Sequence, residues 1–290
     1  MTKLIVDLKS LWKINNYQAD GFILNDPDFS CFPENEFSLE QITNIIYQLK
    51  RKNKLVFINV DRIIEEEELN ILHNRLKWYL TFEIDYFIYG DFAVFSYLHE
   101  LNPQQKLIYN SQTLITNDFD ARFYHHLHQL VMISNELNFD EIKQISLVGN
   151  GVMEVYGFHQ IFYSRRQLLS TFQKYKKIQY SFSNRRLDLQ EEQRNERYSI
   201  FEAAKGTFIY TPYRYCLFKE LNELKNHLVF IKISGAFIDQ AQLLAITKLY
   251  KQGLNTFFTD TLYHDLVAIC PHVDTGYLHK GLLQKEENRD

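Results

Sequence analysis

The sequence predicts an α/β fold in which eight strands and intervening helices form a (β/α)8 barrel of the TIM type. Short apolar runs alternate with longer helical patterns along most of the 290 residues. The short runs are apolar along their whole length, which is typical of parallel strands buried on both faces. We expect one domain over residues 1–290. A doubly wound open sheet is the alternative, because counting strands does not establish closure.

The strand candidates are rich in Ile, Val, Leu, Phe and Tyr, and each is bounded by polar residues. In chain order they are residues 3–8, 20–25, 54–60, 85–90, 106–111, 129–134, 152–157 and 228–234.

The segments between these strands show helical periodicity. Residues 36–52 carry a Ser38-x-x-Gln41 capping box and end in basic residues, as the helix dipole favours. Residues 65–80 begin with acidic residues and continue with basic ones. Residues 138–145 form a short helical pattern, and residues 238–254 form a long one that ends near Gly253.

One segment, about residues 174–213, interrupts this alternation. The runs RYSIFEA and TFIYTP flank Ala204-Lys205-Gly206, which indicates a hairpin with glycine in its loop. We predict a small antiparallel insertion between the seventh and eighth strands, on the rim that follows the seventh strand.

Composition limits the function classes. The formal net charge is −4, which argues against a protein dominated by nucleic-acid binding, although a local basic patch can still hold RNA. Three scattered cysteines without a C-x-x-C pair suggest a reducing compartment. No signal peptide and no run of about 20 apolar residues is found, so we expect a cytoplasmic protein without membrane contact.

A candidate anion site follows the seventh strand, because strand 152–157 is followed by a polar stretch and a helix-like run, RRQLLSTF. Barrel enzymes often bind phosphate or carboxylate there, and arginine binds carboxylates with two bonds. A solvated first helical turn is the alternative for the arginines. The predicted ligand-binding residues are Arg165, Arg166, Tyr163, Ser164, Asn110, Gln112, Glu136 and Lys232.

A candidate RNA-binding surface lies in the next segment, where basic residues are interleaved with Tyr175, Tyr180 and Phe182. Basic side chains hold a nucleic-acid backbone and aromatic rings stack on bases. Several glutamates follow closely, so a solvated charged hairpin is the alternative. The basic residues are Lys174, Lys176, Lys177, Arg185 and Arg186.

The chain resembles peptidase family U32, the collagenase-like peptidases. The stretch EVYG at 154–157 followed by YSRRQLLS at 163–170 is similar to the family signature, with Gln167 where most members have a cysteine. Five further motifs occur in the family's order. They are YNSQTLITN at 109–117, SNEL at 134–137, YRYCLFKEL at 213–221, IKISGAF at 231–237 and DTGYL at 274–278.

The resemblance implies two kinds of function. One is peptidase chemistry, with Cys216, His159 and Glu154 as candidate catalytic residues; H-E-x-x-H and G-x-S-x-G are absent. The other is hydroxylation of tRNA wobble uridine, in which relatives work as pairs of homologous chains. Relatives that hydroxylate hold a [4Fe–4S] cluster with four cysteines, and only Cys216 matches here.

We therefore expect a non-redox subunit without a metal or iron–sulfur cofactor. Its expected partners are a longer homologous chain and tRNA, and a prephenate-like dicarboxylate is a candidate ligand for the arginines. A scaffold without chemistry of its own is the third hypothesis.

Overall fold

The computed structural model describes residues 1–11, 14–34, 37–190, 192–193 and 195–279. Glu36, where the first predicted helix would begin, lies outside these residues. The strands are β1 (Lys3–Asp7), β2 (Gly21–Asn25), β3 (Leu55–Val60), β4 (Tyr86–Tyr89), β5 (Leu107–Tyr109), β6 (Leu130–Met132), β7 (Gly151–Gly157), β8 (Gln160–Ser164), β9 (Arg186–Gln190), β10 (Arg197–Ala203), β11 (Gly206–Tyr210), β12 (Arg214–Cys216), β13 (Leu228–Ile233) and β14 (Val273–Asp274).

Eight parallel strands form a closed barrel. Strands β1 to β7 pair in sequence order, and β13 pairs in parallel with both β7 and β1. The predicted (β/α)8 barrel is confirmed, and all eight predicted strands belong to it. Closure excludes the open-sheet alternative.

The barrel interior is filled by a cluster of buried apolar side chains, with one buried member from each strand, as expected of a barrel with a packed centre. The cluster consists of Ile5, Ile23, Phe57, Ile88, Ile108, Met132, Val152 and Phe230.

The helices pack around the outside of the barrel through apolar stripes. Helix α1 buries Ile42, Ile45, Ile46 and Leu49, which share one helical face. Each such side chain stabilises the fold by about 1.5–3 kcal/mol when fully buried. The helices are α1 (Leu39–Arg51), α2 (Leu69–Tyr79), α3 (Phe92–Leu101), α4 (Asp118–His126), α5 (Phe139–Ser146), α6 (Leu168–Lys176), α7 (Leu221–Leu224), α8 (Gln240–Asn255) and α9 (Asp260–Ile269).

The four predicted inter-strand helices are confirmed with small shifts at their ends. The capping box at the start of α1 is present, because Ser38 and Gln41 exchange side-chain and backbone hydrogen bonds. The predicted helix 65–80 begins with a 3-10 turn at Glu66–Glu68 and continues as α2. Helices α3, α4, α7 and α9 were not predicted. No helix in the described part of the chain is long and apolar enough to cross a membrane.

The predicted antiparallel insertion is present as a four-stranded sheet with the order β8-β11-β10-β9. The predicted hairpin joins β10 and β11, and Gly206 at its turn has φ +133°, which only glycine adopts readily. Lys205 donates hydrogen bonds to the Ser30 hydroxyl at 3.3 Å and to the Phe32 carbonyl at 3.2 Å. These bonds fix the hairpin on the barrel rim.

The insertion begins earlier than predicted. Strand β8 follows two residues after β7, so the expected direct turn from the seventh strand into a helix is wrong. The reason is local: β8 lies at the edge of the small sheet and exposes Ile161 and Phe162, so it lacks the buried pattern of the barrel strands. Helix α6 therefore follows the first strand of the insertion.

Candidate active site at the barrel mouth

A cavity of about 480 Å³ lies at the end of the barrel where the parallel strands finish. Polar residues of β1, β3, β7 and β13 form its floor, and residues of β8, β10 and β11 form part of its wall. This is the end where barrel enzymes place their active sites. The insertion thus covers the same rim, as the sequence predicted.

Lys232 is the central charged group of the cavity. Its Nζ lies 2.8 Å from Glu154 Oε2 and 4.0 Å from Asp7 Oδ2. The register explains the closer contact, because Lys232 and Glu154 are neighbours across the β13–β7 pair. Burial lowers the pKa of Lys232, but Glu154 and Asp7 outweigh burial and hold this pKa above its usual value. Lys232 therefore stays charged at neutral pH.

A chain of hydrogen bonds connects three strand ends across the cavity floor. Asn59 Nδ2 donates to Asn25 Oδ1 at 2.8 Å, and Asn25 Nδ2 donates to Asp7 Oδ1 at 3.5 Å. The backbone N–H of Gly235 donates to Asp7 Oδ2 at 3.2 Å. Burial raises the pKa of Asp7 even though Lys232 lowers it. Asp7 is thus held both by a cation and by neutral donors.

Asp61 is a second carboxylate of the cavity wall, and it is partly buried. It accepts hydrogen bonds from Asn110 Nδ2 at 3.0 Å and from the backbone N–H of Cys31 at 2.8 Å. Burial raises the pKa of Asp61, and the Cys31 N–H partly offsets this effect. Neutral groups therefore satisfy this carboxylate.

His159 and Glu154, two of the candidate catalytic residues, meet in the cavity. His159 Nε2 lies 3.4 Å from Glu154 Oε1 and 2.8 Å from Asn135 Nδ2. The imidazole also packs on the Tyr215 ring, with 4.4 Å between ring centroids. Burial, together with Lys232, lowers the pKa of His159 to about 3. The imidazole is therefore neutral at physiological pH.

Cys216, the third candidate, faces away from the cavity. It follows Tyr215 in β12, and successive side chains of a strand point to opposite faces. Its Sγ lies 3.6 Å from the Tyr250 hydroxyl of α8, within the core outside the barrel. Burial raises the pKa of the thiol to about 12. A protonated, buried thiol is a poor nucleophile.

The predicted ligand-binding residues divide into two groups. Asn110, Gln112, Glu136 and Lys232 line the cavity, where Gln160 Nε2 donates to Gln112 Oε1 at 2.9 Å. The other four belong to β8 and the turn after it, and they are absent from the described cavity wall. The structure therefore does not bring the two groups together.

The four residues outside the cavity, Tyr163 to Arg166, make contacts elsewhere. Arg165 Nη1 lies 2.8 Å from Glu68, which also pairs with Arg62, and 3.0 Å from Glu65, so Arg165 already has carboxylate partners. Arg166 is exposed, and its backbone N–H donates to the Ser164 hydroxyl at 3.2 Å. Tyr163 donates to the Lys205 carbonyl at 3.1 Å. Arg165 thus anchors the insertion to the segment before α2, and Arg166 is the more accessible cation.

The predicted RNA-binding residues lie on the insertion. Lys174 and Lys176 are exposed on α6, Lys177 ends this helix, and Tyr175 between them is 78% exposed. Arg185 is exposed just before β9. The Arg186 guanidinium is placed differently, because it lies 4.9 Å from the Phe158 ring centre and 4.8 Å from that of Phe237.

Three residues that line the cavity at strand ends were not predicted as site residues: Asp7, Asn59 and Asp61. A sequence signal for them exists, because each lies at or just after the carboxyl end of a strongly apolar strand. The strand candidates KLIVDL and KLVFINV contain two of them.

Comparison with known proteins adds family information. The sequence profile of peptidase family U32 matches residues 6–288. The chain is 24% identical over 245 residues to a Bacillus subtilis protein called tRNA hydroxylation protein P2, covering 82% of this chain and 79% of the relative. It is 23% identical over 281 residues to an uncharacterized protease of Methanocaldococcus jannaschii, covering 90% of this chain and 66% of the relative.

A solved U32 peptidase is similar in structure. The TM-score is 0.51 at 11% sequence identity, and the alignment covers 81% of this chain and 93% of the other. At this identity the likeness supports the barrel fold alone.

Proposed function

The chain belongs to peptidase family U32, and we propose that it takes part in the hydroxylation of tRNA wobble uridine, which yields 5-hydroxyuridine. The observation that carries the proposal is the similarity, over 82% of the chain, to the protein called tRNA hydroxylation protein P2. A tRNA substrate implies work in the cytoplasm, in line with three free cysteines.

In this proposal the chain is a non-redox subunit. A [4Fe–4S] cluster needs four converging thiolates, whereas the sequence has three cysteines. Cys216 and Cys270 are buried in the core outside the barrel, and Cys31 is buried in the cavity wall. The oxidising centre would therefore belong to a longer homologous chain that pairs with this one.

The insertion is the proposed RNA-binding surface. Lys174, Lys176 and Lys177 flank the exposed Tyr175 in the sequence, and Lys176 Nζ lies 5.4 Å from the centre of the Tyr175 ring. This arrangement would combine phosphate contacts with a ring for base stacking. Arg185 extends the positive charge. Arg166 is the proposed contact for a prephenate-like dicarboxylate, with Arg165 holding the turn in place through Glu65 and Glu68.

The test uses cells in which the gene is deleted and replaced by variants. Loss of 5-hydroxyuridine derivatives from tRNA is expected with Lys174→Ala/Lys176→Ala/Lys177→Ala and with Arg166→Ala. Lys3→Ala, an exposed lysine at the start of β1, is the matched control and should restore modification. Normal modification by the triple variant would contradict the RNA-binding surface, and normal modification by Arg166→Ala would contradict the anion site.

A collagenase-like peptidase is the second candidate. It is favoured by the similarity to an uncharacterized protease over 90% of the chain and by the His159–Glu154 pair inside the cavity. Purified protein that cleaves peptides, and loses this activity in His159→Gln and Glu154→Gln variants but not in Cys216→Ala, would support it. No cleavage by the isolated chain would reject it.

A further inference from the structure

The cavity at the barrel mouth carries a strong excess of negative charge. Lys232 is the one lysine or arginine among the described residues of its wall, and Glu154 and Asp7 already share it. Burial raises the pKa of Asp7 and of Asp61. Even with both protonated, three carboxylates remain against one lysine. The acids in the wall are Asp7, Asp61, Glu136, Glu154 and Glu196.

A buried hydrogen-bond acceptor in the same cavity has no partner. Asn59 is 7% exposed, and its Oδ1 has no hydrogen-bond partner among the described residues. Its orientation follows from its neighbours. Asn25 Nδ2 donates to Asp7 Oδ1, and Asn25 Oδ1 accepts from Asn59 Nδ2, so Asn59 takes part in this chain through its nitrogen. Asn59 Oδ1 is left to accept a hydrogen bond from a ligand, because an unsatisfied buried acceptor is costly.

Both features select the same ligand chemistry. Phosphates and dicarboxylates are disfavoured by the excess of carboxylates, whereas an ammonium or guanidinium group supplies positive charge and several N–H donors. The wall also contains the rings of Tyr198, Tyr213 and Tyr277, and aromatic rings favour cations. A volume of about 480 Å³ suits a small molecule or the end of a chain.

We propose that this cavity binds a ligand through a positively charged amine or guanidinium group, placed between Glu154, Asp61 and Asn59. The assignment goes beyond the proposed role in tRNA hydroxylation, which gives the cavity no ligand. The cavity thus favours cations, whereas the arginines and lysines of the insertion favour anions.

The test compares cations with an anion of matched length. Thermal unfolding and calorimetry of the purified full chain are measured with putrescine, with agmatine and with succinate, at constant ionic strength. Putrescine or agmatine should raise the unfolding temperature and show saturable binding, because a ligand specific for the folded state stabilises it. Succinate should do neither.

Variants locate the binding. Asp61→Asn keeps the side-chain shape and should weaken amine binding about tenfold or more, the usual loss when a charged hydrogen-bond partner is removed. Glu136→Gln, at an exposed position, serves as a second variant if Asp61→Asn fails to fold, and should weaken binding less. Glu100→Gln, exposed on α3 and outside the described cavity wall, is the matched control and should bind normally.

A tripeptide with a free amino terminus and its N-acetylated form distinguish a peptide amine from a free small amine. Stabilisation by the free form alone supports a peptide end as the source, and stabilisation by putrescine or agmatine alone supports a small metabolite. The proposal would be overturned if succinate bound, or if none of the amines had any effect. It would also be overturned if Asp61→Asn and Glu136→Gln, where folded, bound the amines as tightly as the wild-type chain. These results do not depend on tRNA modification.

Discussion

Replacing Lys232 with methionine tests whether the ion pairs of this lysine in the cavity stabilise the fold. Its Nζ is 2.8 Å from Glu154 and 4.0 Å from Asp7, and its side chain is 16% exposed. Breaking a buried ion pair by removing one partner costs about 3–5 kcal/mol, because the other charge is left buried and unpaired. Since 1 kcal/mol corresponds to about 2–4 °C in large domains, the unfolding temperature should fall by roughly 6–20 °C.

Circular dichroism during heating measures this effect, with Lys143→Met as the control. Lys143 forms an exposed pair with Glu223, with side chains 44% and 56% exposed, so its loss should hardly change stability. The double variant Lys232→Met/Glu154→Gln should recover part of the loss, since it removes the stranded carboxylate as well. A Lys232→Met protein as stable as the wild type, or fully additive effects in the double variant, would refute the reasoning.

Three further predictions concern single residues. The pKa of His159 is about 3 in the folded chain and about 6.5 in the unfolded one, so the free energy of unfolding should fall as the pH decreases from about 6.5 to about 3. A folded His159→Gln variant should lose less stability over this pH range in denaturant titrations. Iodoacetamide should label Cys216 only after unfolding, because burial raises its pKa to about 12; rapid labelling of native protein, seen by mass spectrometry, would contradict this. Gly206→Ala should destabilise the protein by about 1 kcal/mol or more in urea unfolding, because alanine is strained at φ +133°; an unchanged midpoint would contradict it.

The barrel was predictable because its strands are buried on both faces. Nearly continuous apolar runs such as Leu55–Val60 are typical of parallel strands that are buried on both faces. Strands β8 and β9 were missed for the opposite reason, since most of their residues are intermediate or exposed and give no clear period. Hairpin β10–β11 was found from its turn chemistry around Gly206.

The site was only partly predictable. Glu154 and Lys232 lie in the cavity as members of recognisable motifs, and His159 lies between the two parts of the family signature. The pairing of Arg165 depends on Glu68, which is 97 residues away in the sequence, so no local pattern reveals it. The orphan acceptor of Asn59 likewise depends on its neighbours across two strands. Charge balance at such a site is a property of the closed barrel.

The most direct test of the central proposal is mass spectrometry of tRNA nucleosides from cells with and without this gene. Loss of 5-hydroxyuridine derivatives in the deletion strain, restored by the wild-type chain, is the predicted result. An unchanged nucleoside profile would contradict a role in tRNA hydroxylation.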